Sequence, residues 1–141
     1  MEACLYDIPT IDMCHIHGEI GKNNMVVGID DNEQSNDIFW GQFEKYYQKI
    51  HNEVDGSFYD FVNSSDYKKD DHEVKVIGHS FAITDKHPLK KLLEMPNTKI
   101  DCYYYRDSSE IIRNATAIIG KDAILEKALG KNGTLRFVQV S

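Results

Sequence analysis

The chain has 141 residues, 41% of them hydrophobic and 28% charged, with a formal net charge of -7 at pH 7. This is the size of one ordinary domain, and no run approaches the roughly 18 apolar residues of a membrane span, so a soluble single α/β domain over 1–141 is expected. The acidic balance argues against a nucleic-acid partner bound through a broad cationic face, because such binding draws on Lys and Arg neutralising phosphates.

Met1 to Thr10 carries neither the basic segment nor the apolar run of a secretory signal. Cys4, Cys14 and Cys102 are an odd set without CxxC spacing. Both features predict a cytoplasmic protein with reduced thiols. Ile11 to His17 reads as a short strand that puts His15 and His17 on one face, ended by Gly18. Met25 to Ile29 reads as a second strand, reached through a tight connection that favours antiparallel pairing. From Asp37 to about Asn52, the helical spacing of Phe39, Phe43, Tyr46 and Ile50 predicts a helix capped by Asn36 or Asp37. Phe39, Trp40, Phe43 and Tyr46 are read as core and staple residues. Phe58, Phe61 and Val62 predict a shorter helix, followed by a solvated connection from Ser64 to Glu73.

Val74 to Ile77 is an apolar strand that runs into Gly78-His79-Ser80, and then into Asp85, Leu89, Leu92 and Leu93 at helical spacing. Strand, turn, helix is the predicted order, with Pro88 in the first turn of the helix and Pro96 marking its end. Ile100 to Tyr105 predicts another strand, and Asp107 with Glu110 a capping-box start to a helix using Ile111, Ile112, Ala115 and Ile118. A further helix is expected from Lys121 to Leu129, closed by Gly130 through a left-handed cap, before a last strand from Leu135 to Val140. This β-then-α alternation implies parallel strands in a layered sheet with helices packed on its faces.

Ligands of such sheets bind outside the carboxyl ends of the strands, where Gly78, His79 and Ser80 fall. Gly78 lets backbone approach a ligand closely, and Ser80 offers a hydroxyl to a phosphate or ribose. The structural alternative makes Gly78 and Ser80 turn residues and Asp85 a helix cap, and for Asp85 alone the cap is favoured. His15 and His17 have the spacing for shared metal ligation, but the chain lacks the further ligands of a closed zinc site, so no metal site is assigned. Tyr103, Tyr104 and Tyr105 are expected to put one ring in the core and two over its edge, with stacking on a nucleotide base as the weaker reading.

Five segments together resemble the AbiH family, which is implicated in bacterial abortive infection against bacteriophage. They are His15-Ile16-His17-Gly18; Val26-Val27-Gly28-Ile29-Asp30; Phe43-Glu44-Lys45; Val76 to Asp85; and Ile100-Asp101-Cys102-Tyr103-Tyr104-Tyr105. The resemblance implies a three-layer, Rossmann-like fold similar to sirtuin domains, mostly parallel, with helices on both faces. It covers roughly His15 to Tyr105 and looks like the C-terminal half of the family pattern, without the glycine-rich N-terminal part, so the sheet is expected to be incomplete at its N-terminus.

By this resemblance His17 takes the place of the general base that acts on the nicotinamide ribose, and Gly18 the place of its partner. Gly78 and Ser80 match a Gly-x-Ser turn that touches the adenosine side of NAD, with His79 in place of a threonine, and Asp85 matches the aspartate after that turn. The implied function is a phage-defence domain that binds NAD or a related nucleotide, with hydrolysis in the manner of an NAD glycohydrolase as its candidate reaction. Two alternatives stand beside it. One is a non-enzymatic nucleotide-sensing or protein-interaction domain, and the other a metal-dependent hydrolase using His15, His17, His79 and Asp85. An uncovered strand edge adds the expectation of a homodimer. The functional readings require the two histidine-bearing turns to open into one hollow.

Overall fold

A computed structural model describes residues 14–28, 44–64, 69–131 and 133–140. The chain divides into two compact units, Met1–Asp60 and Phe61–Ser141.

In the first unit, Ile11 to Met13 of the predicted first strand lie outside the described residues, and Cys14 to His17 are not a strand. They form a turn closed by the Gly18 amide on the His15 carbonyl at 2.9 Å. A single turn of 3-10 helix, Ile20–Lys22, follows. The second predicted strand is also absent over its described part, Met25 to Gly28. The physical reason lies in its hydrogen bonds. The Val26 amide donates to the His17 carbonyl at 2.9 Å, the Val27 amide to the Gln48 side chain at 3.0 Å, and the Asn52 side chain to the Met25 carbonyl at 3.2 Å. Side chains thus satisfy backbone groups that a ladder would otherwise pair.

Gln48 belongs to helix α1, Lys45–His51, which is shorter than the predicted 37–52 helix: Glu44, with φ -75 and ψ 136, is extended, so the helix begins only after it. Asn36, Asp37, Phe39, Trp40 and Phe43 lie outside the described residues. Tyr46 is 48% exposed and so is not a core residue. Helix α2, Ser57–Asn63, is the predicted shorter helix and crosses the division between the units. The Asp55 carboxylate accepts from the Ser57 amide at 2.9 Å, which supplies a partner for a backbone donor at the helix start.

The second unit holds strands β1, His72–Ile77; β2, Thr98–Tyr105; and β3, Leu135–Val140. They form a parallel sheet in the order β1-β2-β3. Helix α3, Lys86–Leu93, connects β1 to β2, and helices α4, Ser109–Ile119, and α5, Lys121–Leu129, connect β2 to β3. This is a helix-flanked parallel α/β unit, consistent with the Rossmann-like expectation. Pro88 sits buried in the first turn of α3, where a missing amide hydrogen costs little.

Register decides which residues enter the core. Val76 pairs with Cys102 and Cys102 with Phe137, so these share one face, while Ile77, Tyr103 and Val138 share the other. Onto the first face α3 brings Leu89 and Leu93, α4 brings Ile111, Ala115 and Ile118, and α5 brings Ile124. The spacing of the α4 residues, i, i+4 and i+7, is one stripe of a helix. Ile100, Leu135 and Leu93 are at most 2% exposed, and burying each such side chain stabilises by roughly 1.5–3 kcal/mol.

Two predicted caps differ in detail. The Asp107 carboxylate accepts from the amide and hydroxyl of Ser109 at 3.1 and 2.9 Å, a local turn two residues long in place of the three-residue reach of a capping box. Gly130 has φ -58, so α5 does not end in a left-handed residue. The Gly130 amide still closes the helix, donating to the Glu126 carbonyl at 3.0 Å.

Candidate functional site

The loop after β1 leaves the sheet through Gly78, whose φ of +72 lies in the left-handed region. Three residues on, Phe81 repeats that sign with φ +58, although it is bulky and fully buried. A left-handed backbone costs a residue with a side chain roughly 1–2 kcal/mol, so something must hold it. The Phe81 ring is packed within the core cluster. Its amide donates to Nδ1 of His79 at 2.9 Å, and the Asn114 side chain of α4 donates to the neighbouring Ser80 carbonyl at 2.9 Å.

The His79 bond also fixes a tautomer. Since Nδ1 accepts, the ring proton lies on Nε2, which is 3.5 Å from Oδ2 of Asp85. Asp85 ends a 3-10 turn, Ile83–Asp85, that leads into α3. It stands at the N-cap position of α3 but makes no side-chain capping bond there. The favoured cap reading thus holds for its position but not for a side-chain capping bond, and the Asp85 carboxylate lies beside His79.

Gly78, His79, Ser80 and Asp85 thus come together on one braced loop at the carboxyl end of β1. Nδ1 of His79 is engaged within the loop and Nε2 lies 3.5 Å from Asp85, while Ser80 and Gly78 remain exposed. A Cβ built on Gly78 would meet nothing within 4 Å, so the space beside it is open. Chemically, the loop is a preformed turn that offers a hydroxyl and an uncovered stretch of backbone.

His17 and Gly18 belong to the other unit. His15 is exposed, and Nδ1 of His17 is out of contact with solvent. Gly18 has φ +78, and a Cβ there would stand 2.1 Å from the Asn24 carbonyl oxygen, so only glycine fits. The Asn24 side chain accepts from the Glu19 amide at 2.8 Å and completes the turn. A hollow of about 260 Å³ in this unit is lined by Ile16, Asp55 and Tyr59, among others, but by neither histidine.

The tyrosine run is corrected as well. Tyr103 and Tyr104 are half-buried and Tyr105 is 65% exposed, so none of the three lies in the core. Strand alternation puts Tyr103 and Tyr105 on the sheet face opposite the helices. There, with Lys75, Ile77, Gly78 and Val140, they line a hollow of about 480 Å³. Sequence reading identified these tyrosines but did not connect them to Lys75 and Val140, which only the pairing of three strands makes neighbours. The roles of Phe81 and Asn114 in bracing the loop were likewise missed. The signal for Phe81 was available, in an aromatic residue placed between a turn and a helix start.

Among the described residues no three His, Cys, Asp or Glu side chains are grouped so as to hold a metal ion. No helix of the described residues is long and apolar enough to cross a membrane.

Over residues 3–118 the sequence matches the family described as bacteriophage abortive infection AbiH. The chain belongs to the AbiH family. The matched span includes both histidine-bearing turns, β1 and β2, and is wider than the motifs from which the resemblance was read. Comparison with curated proteins and with solved structures found no match.

Proposed function

We propose that this AbiH family protein acts in abortive infection by binding a nucleotide such as NAD, with Gly78 and Ser80 against ribose or phosphate and His79 and Asp85 holding the loop in shape. The observation that carries this reading is the braced loop at the carboxyl end of β1. A buried, left-handed Phe81 whose amide is held by Nδ1 of His79, and an Asn114 side chain bonded to the Ser80 carbonyl, support an exposed glycine and serine. A turn held before the ligand arrives loses little ordering entropy on binding. At the end of a parallel strand it lies where α/β sheets receive ligands.

In the enzymatic form of the proposal, His17 serves as general base for hydrolysis and Gly18 shapes its turn. The non-enzymatic form keeps the binding and drops the turnover. Incubating the protein with NAD and related nucleotides, with and without divalent metal, distinguishes them. Turnover that disappears in His17→Ala supports hydrolysis, and binding without turnover supports sensing. Turnover lost on chelation would favour a metal-dependent hydrolase. A melting temperature that no nucleotide raises at millimolar concentration overturns the binding proposal, since a ligand of the folded state stabilises by mass action.

A homodimer is part of the same proposal. Among the described residues β1 and β3 are the edges of the sheet, and open edges favour pairing between copies. A single monomeric species in light scattering at high concentration would contradict it.

A further inference from the structure

The hollow on the face of β1, β2 and β3 opposite α3, α4 and α5 is lined in part by Gly78, the residue that also opens the braced loop. Its volume, about 480 Å³, falls in the range of small-ligand sites, which are mostly apolar with a few placed polar groups. Ile77 is 75% exposed, Tyr105 65% and Val140 41%; Ile77 is the cross-strand partner of Tyr103, and Val140 that of Tyr105. The one charged lining residue is Lys75. Its cross-strand neighbour Asp101 gives both carboxylate oxygens to Arg136, at 2.7 and 2.6 Å. Asp101 is therefore already compensated, Glu73 of the same face stands outside the lining, and the charge the lining itself offers is that of Lys75. The Arg106 guanidinium lies 5.2 Å over the Tyr105 ring and restrains it.

We infer that this hollow seats the heteroaromatic base of a nucleotide against Tyr103 and Tyr105, with Lys75 attracting its phosphate charge. The inference rests on the nucleotide reading of the adjoining loop and adds to it which part of the ligand lies where. Aromatic side chains accept any base through its π-face, and apolar neighbours such as Ile77 and Val140 exclude water from the stack. Gly78 is the passage between the two parts of the site, and a side chain there would stand between base and loop.

The test compares binding of AMP and of ribose 5-phosphate by calorimetry, to the unaltered chain and to Tyr105→Ala. The exposure of Tyr105 makes its truncation compatible with folding, and circular dichroism checks this. AMP is expected to bind about ten-fold more tightly than ribose 5-phosphate, the size of one stacked base, and Tyr105→Ala is expected to remove that advantage while leaving ribose 5-phosphate unchanged. Equal affinities for the two probes, unaltered by Tyr105→Ala, would overturn the base site and leave the nucleotide reading of the loop standing. Binding of neither probe would overturn both. Tyr105→Phe, which keeps the ring, is expected to retain the preference for AMP, and its loss there would overturn stacking as the cause.

Discussion

The backbone amide of Phe81 donates to Nδ1 of His79 across 2.9 Å. This short bond, two residues in span, decides where the imidazole proton sits and what the ring can do. Nε2 lies 3.5 Å from Asp85, and through Nδ1 His79 acts as a strut of its own loop.

That assignment separates two substitutions at one position. Asn offers an oxygen where Nδ1 stands, whereas Gln offers a polar group where Nε2 stands. His79→Asn is expected to keep the Phe81 bond and most of the stability. His79→Gln should strand the part-buried Phe81 amide at a cost of about 1–3 kcal/mol. Urea unfolding of the two variants measures the difference, and equal losses would show that the Phe81 bond contributes nothing.

Gly18 and Gly78 both have positive φ, yet their surroundings differ. Gly78→Ala meets only backbone strain, about 1–2 kcal/mol. Gly18→Ala adds a methyl group 2.1 Å from the Asn24 carbonyl oxygen and forces its turn open. The second is expected to be the larger loss by chemical denaturation, and a smaller loss at Gly18 would contradict the packing described for that turn.

Burial pushes the Cys102 thiol up to about 12, with the charge of Asp101 adding to the effect. The folded chain therefore holds the proton more tightly than the unfolded one. The corresponding stability is whole below the ordinary thiol value of 9.0 and is lost as pH rises from there toward 12. Cys102 is fully buried and Cys14 half-buried. Iodoacetamide at pH about 8 is expected to label Cys14 before Cys102 and to spare Cys102 until the unit unfolds, as read by mass spectrometry.

The hydrogen bonds from Arg136 hold the Asp101 carboxyl below the usual carboxylate range. Here the sign is reversed: the stability is present above the ordinary Asp value of 3.8 and is lost as pH falls through the lowered one. Arg136→Gln is expected to raise the Asp101 titration midpoint and to flatten the acid limb of a stability-against-pH profile. An unchanged NMR titration of Asp101 would show that the pair does not set its ionisation.

The second unit was largely legible because its signals are local. Val74 to Ile77 followed by a glycine turn, Leu89 with Leu93, and Ile111 with Ala115 and Ile118 each state a period and a boundary within a dozen residues. The first unit was less so. Alternation around His15 and His17 imitates a strand, but Gly18 and Asn24 bend the backbone into a turn, and Gln48 and Asn52 supply hydrogen bonds from more than twenty positions away. The candidate loop was visible as Gly78, His79, Ser80 and Asp85, whereas its bracing by Asn114 depends on how α4 packs. The direction of His79 could not be read at all, since a histidine in a turn gives no sign of which nitrogen accepts.

Strand β2 is two surfaces on one thread, with Ile100 and Cys102 turned inward and Asp101, Tyr103 and Tyr105 outward. Inserting a single residue ahead of Ile100 would exchange them, driving a carboxylate into hydrocarbon and a thiol into water. Lengthening by two would restore the sidedness and merely shift the rings along the sheet. Tolerance of even but not odd changes in length at this point is thus written into the alternation itself.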